Sequence, residues 1–139
     1  MTTTPKVHAF FHPSTWTLTY VVYDEATGDA LLVDPALDYE PRASVLSTEA
    51  LDEVLDFIGE HKLKLHAVVD THVHADHITA MHEVKKRLQV PTLISERILG
   101  VQKVFGDLFN FAPTAWPVTA ASSTNSSKTK STCSSAASP

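Results

Sequence analysis

The stretch DTHVHADH, Asp70–His77, decides the reading of this chain: three histidines and two aspartates fall within eight residues. It follows directly on the short apolar run HAVVD, His66–Asp70, which reads as a buried strand. In α/β folds, ligands gather where strands end and loops begin. His72 and His74 are two apart, so in an extended loop both rings project to one side. Asp76 and His77 follow where the chain turns into the next element. Neutral imidazoles and a carboxylate are the donor set of zinc and iron sites. Bringing His72, His74, Asp76 and His77 together closes almost no loop, so little chain entropy is lost. These four are the expected metal ligands. Asp70 and Thr71 are read as groups that orient the histidines or the loop backbone. The remaining histidines, His8, His12, His61, His66 and His82, are read as ordinary solvated side chains.

Outward from this motif the chain divides by composition. Hydrophobic residues make up 43% and charged residues 19%, a globular balance, and 139 residues suffice for one domain. The net charge of −5 and the lack of a basic stripe argue against nucleic acid and against an anionic membrane surface. No apolar run reaches the roughly 18 residues of a membrane span. Residues 1–6 are read as a flexible N-terminus without signal or transit character. One cysteine, Cys133, permits no intramolecular disulfide, and a reducing cytoplasmic setting is expected, a mitochondrial one being left open. Residues 7–111 form the ordered domain. From Ala112 to Pro139, 22 of 28 residues are Ala, Ser, Thr or Pro, and this segment reads as a disordered tail. Its origin is read as translation out of frame or a mis-spliced exon in preference to a natural flexible terminus.

Within the domain, VHAFF (Val7–Phe11) and TLTYVVYD (Thr17–Asp24) predict strands. EATG turns the chain, and DALLVD (Asp29–Asp34) returns as a hairpin arm that Pro35 ends. Ser47 is placed to cap a helix whose apolar face is Leu51, Val54, Leu55 and Ile58. A second helix is expected over Ile78–Leu88, and PTLI (Pro91–Ile94) as a strand. Ser95 is placed to cap a third helix carrying Ile98, Val101 and Phe105. Strands first and alternating strands and helices after them predict an α/β sheet with parallel crossovers in its second part.

The motif THVHADH resembles the signature of the metallo-β-lactamase superfamily, and HADH is similar to the branch with glyoxalase II and the persulfide dioxygenases. DPALDYEP (Asp34–Pro41) resembles the linker of bacterial persulfide dioxygenases and β-lactamase hydrolase-like proteins, STEALDEVLDFI (Ser47–Ile58) their first helix. ERILGVQKVFGDLFN (Glu96–Asn110) also resembles that subgroup, and the likeness covers about Val7 to Asn110. The resemblance implies the N-terminal part of an αββα sandwich. In dinuclear members it places His72 and His74 on a first metal and Asp76 and His77 on a second. In the iron enzymes it places His72 on a single Fe(II), with a distant histidine and aspartate. The implied activity is oxidation of glutathione persulfide to sulfite with Fe(II); the alternative is zinc-dependent hydrolysis of S-acyl glutathione thioesters. The family's later GHTPG-like and GD stretches have no match here: no histidine follows His82 and no acid follows Asp107. The expectation is a catalytically incomplete chain that exposes an apolar half-sandwich face, with poor solubility or self-association.

Overall fold

Alternating β-branched and aromatic residues build the first layer: β1 (Lys6–His12) and β2 (Thr17–Tyr23) form an antiparallel hairpin, and β3 (Asp29–Val33) pairs back on β2. A computed structural model describes residues 4–110 of the chain. β3 then pairs in parallel with β6 (Lys64–Asp70), and β6 in parallel with β8 (Thr92–Ile94). The five-stranded order is β1-β2-β3-β6-β8, so the expected antiparallel start and parallel continuation are both present. α1 (Glu49–Glu60) makes the first parallel crossover and α2 (Met81–Leu88) the second. Crossovers of one hand that move in one direction lie on one face of the sheet. That face holds the core: Val21, Leu32 and Val68 from the strands meet Leu51, Val54 and Ile58 of α1 and Val84 of α2. Arg87 of α2, held by Glu83 of its own helix, ties α2 to α1 through Asp52 and Thr48.

Among the described residues, nothing covers the opposite sheet face. Strand registers put Val7 beside Val22 beside Leu31, and Phe11 beside Leu18. Val7, Phe11, Leu18 and Leu31 are all exposed. α3 (Ile98–Leu108) contributes no buried residue, and its Val104, Phe105 and Leu108 are exposed.

Four expectations need correction. The segment after Asp34 is not a linker: β4 (Ala36–Glu40) and β5 (Val45–Ser47) form a ribbon, with β7 (Ile78–Thr79) on β4's other side. Ser47 therefore ends a strand and does not cap α1. Thr48 precedes the helix without a side-chain cap, and Asp38 of β4 instead accepts the Ala50 N–H at 2.8 Å. Ile78 lies in β7, opposite Leu37, so α2 starts at Met81 and Ile78 is off its apolar face. Ser95 makes only a long 3.4 Å contact with the Arg97 N–H, and α3 has no side-chain cap. The tail of residues 112–139 lies outside the described residues. No helix among the described residues is long and apolar enough to cross a membrane.

His12 is not a solvated histidine. It is 4% exposed, and its Nε2 lies 3.0 Å from Asp38 Oδ1 and its Nδ1 2.6 Å from Thr15 Oγ1. One imidazole thus joins the end of β1 to β4 and, through Asp38, to the first turn of α1. Its burial follows from β4, whose presence brings Asp38 over it. Removing it would empty a packed site and take from Asp38 Oδ1 its imidazole partner, leaving only the Ala50 N–H on Oδ2. We expect His12→Ala to cost about 2–3 kcal/mol in urea denaturation, and His61→Ala, at an exposed position, to change little. Equal midpoints for the two variants would contradict this role.

Candidate metal centre

Two parallel strands, β3 and β6, end at the same sheet edge, and each ends in or beside an aspartate. Asp34 follows β3 with a left-handed backbone (φ 50°), and its N–H still reaches Val69 O of β6 at 2.9 Å. Asparagine and aspartate tolerate this conformation better than most residues. Asp70 closes β6 and is 5% exposed. The residues of the signature then fold back over the edge, and β7 returns the chain to β4.

The Asp34 carboxylate is the hub of the loop. Oδ1 accepts the Thr71 N–H at 2.7 Å, and Oδ2 accepts the Thr71 hydroxyl at 2.7 Å. His74 Nε2 lies 3.0 Å from Oδ1, and Thr71 Oγ1 lies 2.8 Å from His72 Nδ1. Burial opposes ionisation of Asp34, but the bonds from Thr71 and His74 outweigh it and hold the carboxyl below its usual range. Asp70 is the opposite case: burial pushes it up to about 6, against a 3.1 Å bond donated by Thr79 Oγ1. Asp70 thus anchors β7 and, among the described residues, makes no hydrogen bond to a histidine.

The three imidazoles stand in a row. Ring centres are 4.2 Å apart for His72 and His74 and 4.1 Å for His74 and His77. Asp76 Oδ1 lies 3.8 Å from His74 Nδ1, and Asp76 Oδ2 lies 3.5 Å from His77 Nδ1, an ion-pair distance without hydrogen-bond geometry. Its own backbone N–H lowers the Asp76 pKa, with His77 adding to the effect. The His77 side chain is 1% exposed, and among the described residues neither of its ring nitrogens has a hydrogen-bond partner. Burial, and then the neighbouring His74, push its pKa down, so neutral imidazole is favoured.

Potential ligand atoms of these residues fall into two overlapping triplets: Asp34 with His72 and His74, and His74 with Asp76 and His77. The four expected residues do gather, arranged around His74 and not around one point. Asp34 is the member that sequence reasoning missed; it was read only as the residue before a strand-ending proline. Its signal was the pairing of two strand-terminal aspartates, Asp34 and Asp70, which becomes meaningful once β3 and β6 are known to be parallel neighbours. A buried imidazole with two unpartnered nitrogens is costly in a dry fold. The same group beside a carboxylate and a second imidazole, which a third imidazole adjoins, suits a transition ion, so the donor set fits.

The family model described as the metallo-beta-lactamase superfamily matches residues 16–128. The chain is 36% identical over 108 residues to a beta-lactamase hydrolase-like protein of Agrobacterium fabrum, covering 78% of this chain and 25% of that one. It is 34% identical over 92 residues to the mitochondrial persulfide dioxygenase ETHE1 of Homo sapiens, covering 66% and 32%. The crystal structure of ETHE1 from Myxococcus xanthus superposes with a TM-score of 0.52 at 38% identity, covering 63% of this chain and 34% of that one. The chain therefore spans between a quarter and about a third of the length of these relatives.

Proposed function

The chain belongs to the metallo-β-lactamase superfamily, and from that premise we propose that it carries part of a transition-metal centre, with His72, His74, Asp76 and His77 as candidate ligands. The observation that carries this reading is the buried His77 side chain, whose two nitrogens lack hydrogen-bond partners among the described residues while His74 and Asp76 lie beside it. When bound, a transition ion supplies open positions for substrate and oxygen, or the acidity that makes water a nucleophile. The residues themselves do the holding. The Asp34 and Thr71 contacts fix the loop, Asp76 supplies negative charge against the cation, and burial keeps His77 neutral.

The reaction proposed for the lineage is oxidation of glutathione persulfide to sulfite with Fe(II). Zinc-dependent hydrolysis of glutathione thioesters is the second reading, and the second triplet favours it. Of the four residues the iron arrangement uses His72 alone, which leaves His74, Asp76 and His77 idle. We propose further that the isolated chain binds metal without turnover, because it has no histidine after His82 to complete either arrangement. Association of chains through the bare sheet face belongs to the same proposal.

Loading the purified chain with equal iron and zinc, followed by dialysis and elemental analysis, tests these points. Retention of iron at one ion per chain supports the dioxygenase lineage, and two zinc ions per chain support the thioesterase. Oxygen uptake with glutathione persulfide, or cleavage of an S-acyl glutathione, by the loaded chain would refute incompleteness. A chain that retains neither metal would refute the site.

A further inference from the structure

We propose that the β1–β2 turn carries a second reactive site, separate from the metal centre: the Thr15 hydroxyl is a nucleophile that His12 activates and Asp38 orients, and it takes up short acyl groups from aryl esters.

A nucleophile, a base and an orienting acid stand here in series, each within hydrogen-bond reach of the next. His12 Nδ1 lies 2.6 Å from Thr15 Oγ1, and His12 Nε2 lies 3.0 Å from Asp38 Oδ1. The protons follow from the Asp38 end. The Ala50 N–H can only donate, so Asp38 Oδ2 accepts it at 2.8 Å. A carboxylate accepts at its other oxygen as well, so His12 Nε2 carries the imidazole hydrogen. The lone pair is left on Nδ1, and the Thr15 hydroxyl donates to it. Thr17 Oγ1, 2.9 Å away, then donates to Thr15 Oγ1. Each group thus donates to the next, from Thr17 through Thr15 and His12 to Asp38. An alkoxide forming at Thr15 gives its proton to a fixed base and keeps a donor in Thr17. His12 is buried, so water does not compete for Nδ1, whereas Thr15 is partly exposed to a reagent. None of these four residues belongs to the metal-ligand triplets.

The turn spans residues 13–16, and the Trp16 N–H closes it on His12 O at 2.9 Å. Trp16 has φ 59°, a conformation that bulky residues rarely adopt. Such outliers cluster at functional sites. The Trp16 side chain is exposed and meets exposed Phe11 edge-on, with ring centres 5.9 Å apart. An aromatic leaving group can lie against this pair, which favours aryl esters. In the step, a bond forms between Thr15 Oγ1 and the carbonyl carbon, and the bond from that carbon to the aryl oxygen breaks. The hydroxyl proton passes to His12 Nδ1 and from there to the departing phenolate. The Trp16 N–H, the donor that follows the nucleophile, is already bound to His12 O and does not stabilise the oxyanion. The reaction is therefore a single acylation of the chain and not turnover.

Treating the purified chain with p-nitrophenyl acetate near neutral pH, with a chelator present, tests this. The acetyl group is located by peptide mass mapping, because other histidines also release phenolate. Positioned general bases contribute about 10²–10⁴-fold, and Thr15 should acetylate faster by about that factor than Ser14, an exposed hydroxyl outside the series. Unfolding in urea should erase the preference. Thr15→Ser should keep the label at residue 15, Thr15→Val should lose it, and Ser14→Ala should leave it unchanged. His12→Gln retains a donor for Asp38 but removes the base, so labelling of Thr15 should fall to the Ser14 rate. Equal labelling of Thr15 and Ser14 in the native chain, acetyl confined to histidines, or native labelling in a folded His12→Gln chain overturns the inference. The comparison of Thr15 with Ser14 decides it even where His12→Gln does not fold. Labelling is read without metal, so either site can fail while the other stands.

Discussion

Replacing His77 with leucine is expected to leave the metal-free chain as stable as before or more stable, while abolishing the stabilisation that metal confers. The two effects have separate origins. In the free chain, His77 buries two polar nitrogens with no partner among the described residues. An unsatisfied buried polar group costs about 1–3 kcal/mol, and an apolar side chain of similar shape removes that cost. Under the proposed assignment, one of those nitrogens becomes a ligand when metal binds. Binding to the native state alone stabilises by RT ln(1 + [L]/Kd), about 4 kcal/mol at a thousandfold excess over Kd. The variant should lose this increment almost entirely. Thermal melts with and without zinc read both quantities on one sample, and elemental analysis after dialysis gives the metal content. The double replacement His72→Ala/His77→Ala should come out of dialysis without zinc or iron. His82→Ala, outside both ligand triplets, should match the native chain. A His77→Leu chain that keeps its full metal load would sink the assignment, whatever its stability.

How much of this was legible beforehand depends on the distance over which each feature is encoded. β2, β3 and β6 were readable because each packs on neighbours that impose a simple apolar pattern. α1 was readable because Leu51, Val54 and Ile58 recur at the helical period and do face the core. The gathering of His72, His74, Asp76 and His77 was readable because the four residues are local. The misses share one cause. β4, β5 and β7 are two to five residues long, too short to carry a period, and their partners are distant. Ile78 fell on the helix face because its spacing from Met81 mimics one turn; only pairing with Leu37 places it in a strand. His12 became buried through the same unforeseen β4. Asp34 joins the site across 37 residues from Thr71 and 40 from His74. Nothing in its own neighbourhood marks it; the parallel pairing of β3 with β6 does.

Neighbouring leucines on β3 should respond in opposite ways, and that contrast tests the architecture most directly. Leu32 is fully buried between the sheet and the two helices, whereas Leu31 points to the bare face and is 39% exposed. Leu32→Ala should cost about 3–5 kcal/mol, because a close-packed core relaxes only partly around a lost side chain. In a domain whose whole stability is on the order of 5–15 kcal/mol, that brings it near unfolding. Leu31→Lys should cost less than about 1 kcal/mol, since little burial is lost. Its effect should appear in association. A charge at the centre of a face formed with Val7, Phe11, Leu18 and Val22 must be desolvated before another apolar surface can pack there. Sedimentation should therefore show the native chain associating and Leu31→Lys shifted towards monomer, while urea midpoints separate Leu32→Ala from both. Comparable stability losses at the two leucines would mean that both sheet faces are covered in the isolated chain. A native chain that sediments as a monomer at every concentration would mean that the bare face does not drive association. If both contrasts hold, one face of the sheet makes this chain fold and the other makes it seek a partner.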